Sequence, residues 1–296
     1  MGAIANLFGY LLNFLYNVFN NYGIAIIVFS VILRIILIPV TISQQKSMRK
    51  NEKMQEKMKE IQRKYKNNPE KLNQETIDLY KREKMNPFSG CLSSILQIVI
   101  IISVFLLVRE PLTYMKKVPK DVIDGYVTEI KEAGQSTSNY QEIDVIKHKG
   151  NEDERVNINL DFCGLDLSLV PNANLKDYKV YIIPVLYVLT SFLSIKITTR
   201  KSKKNKTLAI AEKSDDSVNE ENNKKDAAQE AEESMEMMTN SMNYMFPIMA
   251  ITISFVTPLG LALYWLVSNV LIIIERLIID RISEKIDKKE EEKNNA

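Results

Sequence analysis

Residues 22–45, YGIAIIVFSVILRIILIPVTISQQ, decide the architecture. An apolar run of this length is what an α-helix needs to cross a bilayer core. One positive charge, Arg34, stands well inside it. Ser30, Arg34 and Thr41 fall at i, i+4 and i+11, which puts the three on one helical face. An arginine near mid-membrane costs about 3 kcal/mol on insertion scales, so it normally faces protein or a water-filled cavity. A structural ion pair and snorkelling to the interface are the plainer alternatives. The polar strip favours a cavity, and Arg34 is the first candidate functional residue.

Working outward, residues 1–21 are apolar and aromatic, with Leu7, Leu11, Phe14 and Val18 at helical spacing and asparagines around the rest. They carry no basic leader and no small-residue cleavage site, so they predict an interfacial amphipathic helix rather than a signal peptide. On the other side, residues 46–86 form a charged segment. Met54, Met58, Ile61 and Tyr65 make one helical stripe; Asn67, Asn68 and Pro69 interrupt it; Leu72, Thr76, Leu79 and Tyr80 make a second. The pattern predicts a helical hairpin. Thirteen Lys/Arg against seven Asp/Glu between residues 46 and 84 place it in the cytoplasm.

The remaining spans follow from apolar runs at 87–108, 178–198, 239–257 and 258–279. Gln97 lies inside the second, while Tyr187, Thr190, Ser191 and Ser194 line one side of the third. Thr257 to Gly260 separates the last two, and Tyr264 and Ser268 share a face of the fifth beside Trp265 and Asn269. Residues 109–177 are a polar extracytoplasmic segment in which 144–161 looks like short strand or loop. Residues 199–238 read as a basic, then low-complexity, disordered cytoplasmic loop, and 280–296 as a charged cytoplasmic tail. Met238, Met242, Met245 and Met249 form a stripe at the inner end of the fourth span, either ordinary packing or a soft, adaptable apolar contact surface.

Composition narrows the function. The chain has 39 Lys+Arg and 37 Asp+Glu, a net charge of +2 that implies no nucleic-acid recognition. Two cysteines, Cys91 and Cys163, and one histidine suit neither a disulfide framework nor a zinc site. No triad, P-loop or dinucleotide fingerprint is present. The expectation is a polytopic, all-α membrane protein that is not an enzyme and needs no cofactor or metal. Glu110 and Glu275 are the nearest acids to Arg34 by type, and both sit towards helix ends. No acid of the chain is therefore expected to pair with it, which leaves water in a cavity beside it.

Five motifs in order carry a family resemblance. They are SVILRIILIPVTISQQKSM around Arg34, the hairpin ending in Leu79-Tyr80-Lys81, and Asn86-Pro87-Phe88-Ser89-Gly90-Cys91 leading to Gln97. The other two are Phe162-Cys163-Gly164-Leu165-Asp166-Leu167 and Pro258-Leu259-Gly260-Leu261-Ala262-Leu263-Tyr264-Trp265 with Asn269. Together the chain resembles the YidC/Oxa/Alb family of membrane protein insertases. The resemblance implies five transmembrane helices around a hydrophilic groove, open to cytoplasm and lipid and closed outside, in a bacterial cell membrane. It implies a groove lined by Arg34, Ser30, Trp265, Thr41, Gln97, Ser194 and Tyr264. It implies nascent membrane proteins and lipid as partners, with the Sec translocon and the ribosome or targeting machinery engaged through the hairpin. The N-terminus would lie outside and the C-terminus inside. A rival reading is a small-solute transporter using Arg34 as an anion site, but such folds show repeated halves or matching broken helices, and none is visible.

Overall fold

The computed structural model describes residues 2–65, 68–83, 89–135, 138–211, 249 and 251–294. Among the described residues, four helical stretches are long and apolar enough to cross a membrane: Gly2–Phe19, Tyr22–Gln44, Tyr178–Ile197 and Leu259–Ile279; Ile98–Arg109 is a shorter apolar helix. The architecture is all-α, as the alternation of apolar runs implies.

The chain divides into two compact units. The first comprises residues 1–38, 96–191 and 250–296. Its first helix, α1 (Gly2–Phe19), turns Ala5, Gly9, Leu12, Leu15 and Tyr16 inward. Leu7, Phe14 and Val18, from the stripe that looked interfacial, point out of the protein. Asn20 ends α1 in the left-handed conformation that asparagine tolerates well, with φ of 47°. Asn21 then caps α2 (Tyr22–Lys64): its Oδ1 accepts from the Ile24 N–H at 3.0 Å.

This break is held by a distant part of the chain. Asn21 Nδ2 donates to the Asp161 carbonyl at 2.7 Å, Asn159 Nδ2 donates to the Asn20 carbonyl at 3.0 Å, and the Tyr22 N–H donates to the Asn159 carbonyl at 3.0 Å. A two-residue turn at Cys163 and Gly164 joins β1 (Asp161–Phe162) to β2 (Leu165–Asp166), pairing Asp161 with Asp166 and Phe162 with Leu165. Both turn residues have positive φ, 54° and 75°, which a tight hairpin of this kind requires and glycine accepts at least cost.

α4 (Ser89–Arg109) enters this unit at residue 96 and is followed by a wide π-type turn, Leu112–Lys116. Between that turn and α7 (Ile182–Ala211) lie α5 (Lys120–Glu132) and α6 (Gln141–Lys149). The α6 residues were expected in part as strand or loop. Ile143, Val145 and Ile146 suggested extension, but they bury against Ile123, Val127 and Ile130 of α5 as one amphipathic helix. Glu142 and Asp144 in its first turn and Lys147, His148 and Lys149 in its last complement the helix dipole. α8 (Leu259–Asn294) closes the unit. Its first two amide groups, on Leu259 and Gly260, donate to the carbonyls of Leu169 and Leu167 at 2.9 and 3.0 Å, satisfying donors that a helix start leaves open. Residues 251–256 are also helical.

The second unit comprises residues 39–95 and 192–249. Here α2 runs on to Lys64 and α3 spans Pro69–Arg82. Asn68 caps α3 by accepting from the Lys71 N–H at 3.1 Å, and Pro69 occupies the first turn, where its missing N–H costs nothing. The two helices touch through Thr76 Oγ1, which donates to Met58 Sδ at 3.6 Å, and through a Lys57–Glu83 ion pair. Met54 and Leu79 are buried. α7 continues to Ala211, past the expected end of its span at 198, through a stretch of Lys, Leu and Ala that favours helix. The rest of the expected disordered loop, 212–238, lies outside the described residues.

Candidate functional site

The site is built where α2 and α8 meet. Tyr22 and Gly260 are neighbours: a Cβ on Gly260 would stand 3.6 Å from a Tyr22 ring carbon. Both helices run away from that shared end. At 1.5 Å per residue, Arg34 lies roughly 18 Å down α2 and Glu275 roughly 22 Å down α8. The long arginine side chain spans the difference, and Arg34 Nη2 forms an ion pair with Glu275 Oε2. The Glu275 side chain is 8 % exposed and that of Arg34 20 %.

The expected absence of a protein partner for Arg34 is therefore corrected. Glu275 looked too close to a helix end, but α8 continues as helix to Asn294, so Glu275 sits inside it. A comparison of each residue's distance from its own span's start would have found the pair. The pairing is incomplete: Arg34 Nε and both Glu275 carboxylate oxygens are buried and lack hydrogen-bond partners among the described residues.

The other sequence-derived candidates divide. Ser30 is buried one turn before Arg34, with its hydroxyl donating to the Ile26 carbonyl at 2.7 Å. Tyr264 is buried, hydrogen-bonds Ser268 and lies within electrostatic reach of Arg34. Trp265 is half-buried against the core. These belong with Arg34 to the first unit. Thr41 and Ser194 are half-buried members of the second. Gln97 is in α4, though its side chain lies outside the described residues, as do Met238, Met242 and Met245. Met249, the last of that stripe, is exposed.

Sequence reading also missed how the polar side of α7 is used. Asn269 Nδ2 donates to Thr190 Oγ1 and Ser191 Oγ, each at 3.1 Å, joining α8 to α7. Tyr187 hydrogen-bonds Ser191 in the same strip. Both faces were visible in the sequence; their apposition was not. Among the described residues no His, Cys, Asp and Glu group could hold a metal. The arrangement places a guanidinium against a carboxylate inside the span, with the buried Ser30 one turn away and the buried Tyr264 within electrostatic reach.

A family model described as "60Kd inner membrane protein" matches residues 14–288. Among curated relatives, a protein named "Membrane protein insertase YidC" from Caldanaerobacter subterraneus subsp. tengcongensis is 36 % identical over 109 residues, 37 % of this chain and 53 % of that protein. One of the same name from Treponema denticola is 22 % identical over 278 residues, 93 % of this chain and 37 % of that protein. A third, from Syntrophus aciditrophicus, is 45 % identical over 87 residues, 29 % of this chain and 16 % of that protein. The matches thus cover about half of the first relative's length and less of the others.

Proposed function

Since the chain belongs to the 60Kd inner membrane protein family, we propose that it is a membrane protein insertase and chaperone. Polar flanks of client proteins would move through a lipid-open hydrophilic groove while their hydrophobic segments partition into the bilayer. The observation that carries this reading is Arg34, a partly shielded charge inside a span with Ser30 one turn away and Tyr264 within electrostatic reach. Gln97 of α4 is assigned to the same groove, and Thr41 and Ser194 are candidate client contacts of the second unit.

The free energy comes from transfer of the client's apolar segment out of water. The groove lowers the cost of carrying a polar flank part-way, because Arg34 offers an acidic group a counter-charge at a depth where water offers little. No nucleotide, cofactor or catalytic residue enters the scheme, so the protein would act as a non-enzyme. The resting membrane is a bacterial plasma membrane, with the N-terminus outside and the C-terminus cytoplasmic. Nascent membrane proteins and lipid are the partners. The cationic hairpin of α2 and α3 would meet the Sec translocon, the ribosome or targeting machinery on the cytoplasmic side.

Crosslinking tests the reading directly. Photoreactive residues at positions 30, 34 and 265 should capture a stalled, single-span nascent chain. Arg34→Ala should lower insertion of a client with an acidic flank roughly tenfold, and Arg34→Lys should restore most of it. Capture of no nascent chain from any of the three positions would overturn the groove.

A further inference from the structure

The intramembrane ion pair has a chemical consequence for selectivity. Glu275 presents to Arg34 the same group that an acidic client flank would present, a carboxylate. The two residues are brought together by helix register: α2 and α8 are level at the Tyr22–Gly260 end, and the charges lie within one turn of each other in depth. Glu275 is also nearly buried, on a helix rather than on a loop that could drift away.

The pair is not a completed two-bond fork. Arg34 Nε and both Glu275 carboxylate oxygens lack hydrogen-bond partners among the described residues, so the contact is one of charge alone. A buried ion pair offsets its desolvation only when its remaining donors and acceptors are also satisfied. This one is close enough to neutralise Arg34, yet it leaves polar capacity unspent. Such a contact suits exchange of one carboxylate for another.

We infer that Glu275 is a specificity-determining residue, an internal carboxylate that occupies Arg34 between clients and that an acidic client group has to displace. The inference rests on the reading of Arg34 as the client-docking charge. The affinity of Arg34 for a client acid is then the difference between two carboxylates' interactions with one guanidinium. A strongly acidic flank wins that competition, and a neutral flank never enters it. Between clients the site is electrically neutral, so anionic lipid headgroups gain little by entering.

The test is insertion of two clients by the purified full-length chain in proteoliposomes. The clients share one hydrophobic span and differ only in two Asp or two Asn in the translocated flank. Glu275→Gln should raise insertion of the Asp client about fivefold and leave the Asn client unchanged. Glu275→Asp, which keeps the charge on a shorter stem, should give a smaller rise in the same direction. That variant decides the matter should the glutamine form lose its cooperative unfolding transition. Equal changes for the two clients, no change, or a fall for the Asp client would overturn the assignment of Glu275 alone. If the wild-type chain inserts neither client, the insertase reading fails and this inference with it.

Discussion

Glu142 and Glu275 are both buried acids, but their surroundings ask opposite things of them. Glu142, between α5 and α7 in sequence, accepts from the Leu112 N–H at 2.7 Å, the Thr113 N–H at 3.1 Å and the Thr113 hydroxyl at 2.5 Å. It clamps the π-type turn to α6. Burial pushes its carboxyl above the usual carboxylate range, outweighing those three bonds, which pull it down. An acid raised on folding holds its proton in the native state where the unfolded chain has lost it. Its contribution to stability is therefore complete below the ordinary carboxylate value and is lost as pH rises through the raised one. Thermal unfolding in detergent should show the midpoint falling across that window, and Glu142→Gln should remove that slope. Glu142→Ala leaves three donors without an acceptor and should cost about 3 kcal/mol at pH below that window. Neither acid's role was legible beforehand. Arg34 announced itself as a charge in an apolar run, whereas partners 30 or 241 positions away leave no mark on local composition.

Among the helices, α1 shows how a small residue sets a packing distance. A Cβ on Gly9 would lie 1.8 Å from the Tyr114 carbonyl oxygen, a backbone atom that cannot step aside. Nearby, Lys117 Nζ donates to Asn6 Oδ1 at 2.5 Å and lies 4.5 Å from the centre of the Tyr10 ring, tying α1 to the residue after the turn. Gly9→Ala should displace α1 and destabilise the contact by about 2 kcal/mol or more. Faster hydrogen exchange at the Leu12, Leu15 and Tyr16 amides, with little change in α5, would register it. The periodicity of α1 was readable, but which of its two apolar faces meets protein was not. The Leu7, Phe14 and Val18 stripe is the outward one, and the smaller Ala5–Gly9 side is the one that packs. For α6 the local signal misled, since Ile143, Val145 and Ile146 favour extension in isolation and α5 overrides them.

At the scale of the molecule, polar contacts such as those of Asn269 with Thr190 and Ser191 join one span to another, and each is open to mutation. Asn269→Ala removes both bonds from α8 to α7. It should lower the unfolding midpoint in detergent by an amount equivalent to about 1 kcal/mol, the usual worth of interhelical hydrogen bonds in membranes. A variant as stable as the parent would mean that Thr190 and Ser191 satisfy themselves within α7. The apolar runs, the capped hairpin break at Asn68 and Pro69 and the polar faces of α7 and α8 were all written in single-chain periodicity. The stitches from residues 159–169 to Tyr22, Leu259 and Gly260 were not, because they are backbone bonds that almost any sequence could make. One consequence concerns time. Arg34 leaves the ribosome about 240 residues before Glu275 exists. At roughly 5–20 residues per second, synthesis of that interval takes tens of seconds. For that period the first span carries a charge without its Glu275 partner, and under the proposed function the nascent chain would itself be a client with an unmet need for a counter-ion. A copy already folded in the membrane could meet it.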